Sequence, residues 1–268
     1  MVMFQTTEMN YPHKLRRLYW PFLALAEVCR EIVGTVAGSF DVEGKRYTIP
    51  SFVFRDPATI LPPIRLGLFA LLHGDEPAGA LGLERLLSSL SNDPRPARGY
   101  ELACYPLCNP TGYEDGTRHN RAGFDLDREF WRGSDLPEIK IIEDELRERQ
   151  FDGIITLHVD ATCDDRQGCA QSQVLNARMP APDRSMSSQT SPPDLEKLMA
   201  GFSAGNMPAE KRGPGMLAPP PGQNPRPFEL MLKTFATASM SQQVEAISCA
   251  LCSILADYRG CVAQRNKP

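Results

Sequence analysis

The sequence predicts an α/β domain: a three-layer α/β/α sandwich around a central, mainly parallel, mixed sheet. Short apolar runs that read as buried strands alternate with segments of helical periodicity, the pattern of a sheet covered on both faces. Two of the apolar runs stop at a histidine in a polar turn, as at the carboxyl edge of an open sheet, where ligands bind. No composition break or internal repeat divides the 268 residues. A single domain over 1–268 is therefore expected, with a proline-rich insertion at about 180–227.

The elements follow in order. Tyr11 to Val33 has Leu15, Leu18, Phe22, Leu25, Val28 and Ile32 at helical spacing. Val33 to Phe54 reads as two strands around Asp41-Val42-Glu43-Gly44-Lys45, a hairpin signal. Asp56 to Pro63 is a proline-rich connection into a buried strand, Ile64 to Leu72. Pro77 suits the first turn of a helix over Ala78 to Leu90. Tyr100 to Leu107 is the next strand, closed by the turn Cys108-Asn109-Pro110-Thr111-Gly112-Tyr113. Glu114 to Arg132 is polar and aperiodic, Pro137 to Arg149 is a helix, and Phe151 to Leu157 is a third buried strand. Residues 180–227 hold eleven of the chain's 24 prolines and one short helical patch, Asp194 to Met199. That composition suits either a disordered insertion or a long loop closing over a site. Pro227 to Leu232 is a late strand, and Ser241 to Arg259 a closing amphipathic helix.

Composition narrows the function. The net charge is −4, which argues against a nucleic-acid partner held by charge. No apolar run reaches the roughly 18–20 residues of a membrane span, so no membrane partner is expected. Met1 to Tyr11 lacks the basic-then-apolar pattern of a signal peptide, so a cytoplasmic location is expected. The eight cysteines are scattered and read as reduced thiols. Cys249-Ala-Leu-Cys252 lies in a helical pattern without a second pair, which disfavours zinc or redox use.

The chemistry concentrates at the strand ends. His73-Gly74-Asp75-Glu76 closes one buried strand and His158-Val159-Asp160 another. Two histidines and one carboxylate suit zinc and leave an open fourth position, the arrangement of a catalytic site. Such a metal polarises a carbonyl and activates water.

The ordered set His73-Gly-Asp-Glu76, Asn109-Pro-Thr-Gly-Tyr113, Gly116-Thr-Arg118-His-Asn120, Gly123-Phe-Asp125-Leu-Asp-Arg128, Thr156-Leu-His158 and Pro227-Phe-Glu229-Leu resembles the zinc carboxypeptidase superfamily. That group includes metallocarboxypeptidases, murein-peptide amidases and the succinylglutamate desuccinylase/aspartoacylase branch. The resemblance implies one zinc per chain, held by His73, Glu76 and His158. It implies Glu229 as the catalytic carboxylate, Arg118 as the residue steadying the oxyanion, and Asp125 as the acid behind the first zinc histidine. It also implies that Arg128 binds a substrate carboxylate. Arg121 is a rival for Arg118, and Asn109 and Asp127 are further candidates for substrate contact.

Two departures stand out. Asp127 replaces the Asn that usually precedes the carboxylate-binding Arg, and no Tyr occurs between Asn120 and Asp257. An ionised Asp repels a carboxylate where an Asn amide donates to it. Both departures point away from a plain carboxypeptidase. The expected activity is zinc-dependent hydrolysis of an amide bond in a small peptide or N-acyl amino acid bearing a carboxylate. The alternatives are an N-acyl amino acid deacylase and a metal-binding member without turnover.

Overall fold

The computed structural model describes residues 13–56, 62–160, 173–178 and 215–265. Seven strands form one sheet: β1 (Ile32–Val42), β2 (Lys45–Arg55), β3 (Ile64–Phe69), β4 (Tyr100–Tyr105), β5 (Gly153–Asp160), β6 (Gln173–Arg178) and β7 (Phe228–Phe235). Their spatial order is β1-β2-β4-β3-β5-β7-β6. The inner four, β4-β3-β5-β7, are parallel to one another. The β1/β2 hairpin pairs antiparallel with β4, and β6 antiparallel with β7. The parallel strands are the ones buried on both faces, which is why they read as continuous apolar runs.

Five α-helices are described: α1 (His13–Val28), α2 (Ala78–Asn92), α3 (Pro110–Asp115), α4 (Pro137–Arg149) and α5 (Met240–Arg265). Two tyrosines of β4 show the layering. Tyr100 and Tyr105 are five residues apart, so they point to opposite faces. The Tyr100 hydroxyl donates to the Leu255 carbonyl in α5, and the Tyr105 hydroxyl to Glu145 in α4. α1 and α2 pack on the α5 side. The core between the layers holds Phe22 stacked on Phe52, and Phe69 stacked on Tyr105 with Phe151 at its edge.

The expected fold class is the one observed. The hairpin turns within the predicted pentapeptide, and the predicted span of α4 coincides with the observed helix. The strand expected over 64–72 stops at Phe69, and the chain is then redirected by Leu71 at φ 52°. Leu71 is fully buried and its carbonyl accepts from Asn109 N–H at 2.8 Å. The turn at Asn109 proves to be a short helix, and β6 has no counterpart in the sequence expectation. The helical patch at 194–199 and most of the 180–227 insertion lie outside the described residues. Its end, Gly215 to Pro227, is described and packs against the domain: Leu217 is 1% exposed.

Candidate metal centre

β3 and β5 are adjacent and parallel, with Leu68 beside Ile155 and Phe69 beside Thr156. His73 and His158 therefore emerge at the same carboxyl edge. Two backbones touch to shape that edge. A Cβ on Gly74 would lie 2.1 Å from the Gly112 carbonyl carbon, so only glycine lets the His73 turn meet α3. The side chain of Asn109 completes the clamp. Its amide donates to the Leu72 carbonyl at 3.2 Å and the Arg118 carbonyl at 3.3 Å, and its oxygen accepts from Gly112 N–H at 2.9 Å.

The imidazoles meet through their Nδ1 atoms, 3.3 Å apart, and both rings are buried. Glu76 bridges them. Its Oε1 lies 2.8 Å from His73 Nδ1, and its Oε2 lies 3.3 Å from His158 Nδ1 while accepting from Val159 N–H at 3.0 Å. Donors on a tetrahedral zinc with bonds of about 2.05 Å lie about 3.3 Å apart. The Nδ1–Nδ1 separation and the His158–Glu76 separation have that spacing, and the 2.8 Å between His73 and Glu76 is somewhat shorter, so these residues fit a zinc ion. His73, Asp127 and His158 also offer one donor atom each within 4.8 Å of one another. Glu76 is the better third ligand, because it faces both Nδ1 atoms, whereas Asp127 Oδ2 approaches His158 Nε2, at 4.0 Å.

Asp125 is the electrostatic hub. Its Oδ1 lies 3.3 Å from His73 Nε2, an ion-pair contact without hydrogen-bond alignment. Its Oδ2 accepts from Arg118 Nε and Nη2 at 3.2 Å and lies 3.4 Å from Arg128 Nε. Burial lowers the His73 pKa, but the Asp125 and Glu76 carboxylates outweigh it and carry it up to about 9. Burial raises Glu76, but hydrogen bonds with His158 and His73 bring it down to about 2. Burial likewise raises Asp125, yet His73 and Arg118 hold it well below the usual carboxylate range. Without a metal, a proton thus occupies this cluster.

The structure places the other expected site residues at varying distance from this centre. Glu229, expected as the catalytic carboxylate, pairs in the sheet with Ile154, four residues before His158. At about 3.3 Å per residue this leaves it about 13 Å short of that histidine along the sheet. Glu229 is 1% exposed and accepts from Arg226 Nη2 at 2.9 Å. The residue of β7 level with His158 is Lys233. Asn109, expected to touch substrate, is fully buried and caps α3. Arg121, the rival of Arg118, is held by Glu114 at 2.9 Å, by Asp115 and by the Tyr47 hydroxyl. Asp127, expected beside a substrate carboxylate, turns inward at 6% exposure and accepts from Leu217 N–H at 3.2 Å. Arg128 pairs with Asp125 and leaves 76% of its side chain exposed. The role of Leu217 and the Arg226 partner of Glu229 had no signal in the sequence. The Asp at 127 did.

Arg118 and Arg128 place exposed positive charge beside the half-buried Asp125, next to the buried His73, His158, Glu76 and Asp127. Solved structures share this architecture. A metallo-carboxypeptidase from Burkholderia cenocepacia superposes with a TM-score of 0.67 at 16% identity, covering 93% of this chain and 70% of that one. The fold is that of the metallo-carboxypeptidases. A metallo-carboxypeptidase from Pseudomonas aeruginosa, solved with (2-guanidinoethylmercapto)succinic acid, gives 0.66 at 18% identity, covering 94% of this chain and 70% of that one. A Shewanella amazonensis SB2B protein, described provisionally as a metallopeptidase, gives 0.64 at 21% identity over 90% of this chain and 92% of its own. At such identities the likeness to metallo-carboxypeptidases is one of fold. No family model matches the sequence, and no curated protein matches it. Among the described residues, no helix is long and apolar enough to cross a membrane.

Proposed function

We propose that the chain is a zinc-dependent hydrolase that cleaves an amide bond in a small peptide or N-acyl amino acid bearing a carboxylate. The observation that carries this reading is the 3.3 Å approach of two buried Nδ1 atoms with the Glu76 carboxylate across both. His73, Glu76 and His158 would hold the ion, which supplies Lewis acidity toward a carbonyl and water. Arg118, 45% exposed and 3.7 Å from Glu76, is poised to stabilise negative charge developing on a carbonyl oxygen. Arg128 reaches into solvent and suits a carboxylate on the substrate. Asp125 draws both guanidinium groups toward the histidine pair. The test is turnover of the zinc-loaded protein on a panel of N-acylated amino acids and short peptides, murein tripeptides included. Preference for the first group makes it a deacylase, and preference for the second a peptidase or amidase.

The position of Glu229 favours a second reading, a metal-binding protein that retains a carboxylate ligand without cleaving it. That reading predicts stoichiometric zinc and saturable binding of the same compounds with no product. Product formation that depends on zinc and on Arg118 would overturn it.

A further inference from the structure

We infer that Asp127 is a positioning residue for His158, tying that metal ligand to the chain segment Gly215–Ala218. The inference rests on the metal reading above.

Were Nδ1 to hold the metal, the ring proton of His158 would sit on Nε2. That atom is buried and, among the described residues, has no hydrogen-bond partner. A buried N–H without an acceptor is costly, on the order of 1–3 kcal/mol. Among the described residues, the carboxylate facing it is Asp127, with Oδ2 at 4.0 Å. His73 has the matching arrangement, with Asp125 facing its Nε2 at 3.3 Å. Asp125 and Asp127 flank Leu126, whose side chain is fully buried. The Asp-Leu-Asp run thus delivers one acid to each histidine. A carboxylate on the outer nitrogen of a metal histidine fixes its tautomer and raises its basicity.

The other oxygen of Asp127 faces elsewhere. Oδ1 accepts from Leu217 N–H at 3.2 Å. The same segment is held by Phe130 N–H on the Gly215 carbonyl and by Trp131 Nε1–H on the Ala218 carbonyl, both at 2.9 Å. Gly215 lies so close to Arg128 that a Cβ would sit 2.0 Å from the Arg128 carbonyl oxygen. One carboxylate therefore connects a metal ligand to a packed strap. An amide can do only half of this: Asn keeps an oxygen for Leu217 N–H or for His158, while its NH2 cannot accept from either.

The experiment compares zinc affinity by chelator competition, the visible spectrum of the cobalt-loaded protein, and hydrogen exchange at the Leu217 amide. It uses the wild type, Asp127→Asn and Asp127→Ala. Asp127→Asn is expected to weaken zinc binding about tenfold or more, to alter the cobalt spectrum, and to keep Leu217 protected. Asp127→Ala is expected to lose both zinc affinity and protection. Asp127→Asn with wild-type affinity and spectrum overturns the inference. So does Asp127→Asn with Leu217 as unprotected as in Asp127→Ala, because the strap alone then carries the effect. A wild type that takes up no zinc defeats the metal reading itself, a different failure seen before any variant is made.

Discussion

Glu76 faces His73 with one carboxylate oxygen and a second histidine with the other, at 2.8 and 3.3 Å. A bridging acid between two imidazoles, buried with them, is a pre-arranged set of three donors. Zinc binding is therefore expected at one ion per chain. His158→Ala removes one donor and should lose the metal by elemental analysis. A His158→Ala protein that retains stoichiometric zinc would place the ion elsewhere.

The pH dependence of that binding follows from His73. In the metal-free protein its pKa is about 9, so the ring is protonated at neutral pH. A ligand histidine must be neutral, so binding releases a proton and affinity rises with pH. The expected gain is about tenfold per pH unit below the metal-free pKa. The sign for stability is the reverse. A raised folded-state pKa stabilises the metal-free fold fully below the ordinary value of 6.5, and that contribution is lost as pH rises toward 9. Zinc titrations at several pH values, and melting curves of the metal-free protein over the same range, test both. A pH-independent zinc affinity would contradict the assignment of His73 as a ligand.

Glu229→Gln separates a structural carboxylate from a catalytic one. Glu229 is buried against Arg226 and far along the strand from His158. Its substitution should leave zinc content and turnover within a few-fold of the wild type. It should cost stability, on the order of 1 kcal/mol, because the hydrogen bond from Arg226 loses its negatively charged acceptor. A loss of turnover by a factor of about a thousand at unchanged melting temperature would return Glu229 to the chemistry.

The three arginines of the polar loop should part ways under alanine substitution. Arg118→Ala is expected to lower kcat about 10²–10³-fold. Arg128→Ala should raise KM for carboxylate-bearing substrates and leave stability within about 0.5 kcal/mol, since its side chain is mostly exposed. Arg121→Ala should lower the melting temperature and spare both constants, because Arg121 joins Tyr47 in β2 to Glu114 and Asp115. Steady-state kinetics with thermal melts resolves the three. Arg121→Ala with intact stability and lost turnover would exchange its role with that of Arg118.

The architecture was legible because buried parallel strands and amphipathic helices carry unmistakable periodicities, and because a strand ending in histidine announces which edge it faces. That His73 and His158 meet at one edge was legible in the same way, from two buried strands that each end in a histidine. What failed was height along a strand. Pro-Phe-Glu-Leu lies in the predicted strand, but a four-residue motif does not say which rung of the neighbouring strand it meets, and the register puts Glu229 beside Ile154. The cap at Asn109 was hidden for another reason: a helix-capping Asn and a substrate-binding Asn look alike until the partners around them are known. The substitution at Asp127 was visible, but its direction was not, since the acceptor's partners, His158 and Leu217, are 31 and 90 residues away.

The contact between Gly74 and Gly112 has a consequence for anyone mapping this protein by random mutagenesis. Neither glycine carries a functional group, yet a single methyl at Gly74 would drive the His73 turn away from α3. A screen for zinc uptake would score such a variant with the histidine knockouts, although every donor remains. Sensitivity in that screen would chart the scaffold's tolerances as much as its chemistry. Restoring zinc uptake at Gly74→Ala would then require a change in the opposing backbone, not a new ligand.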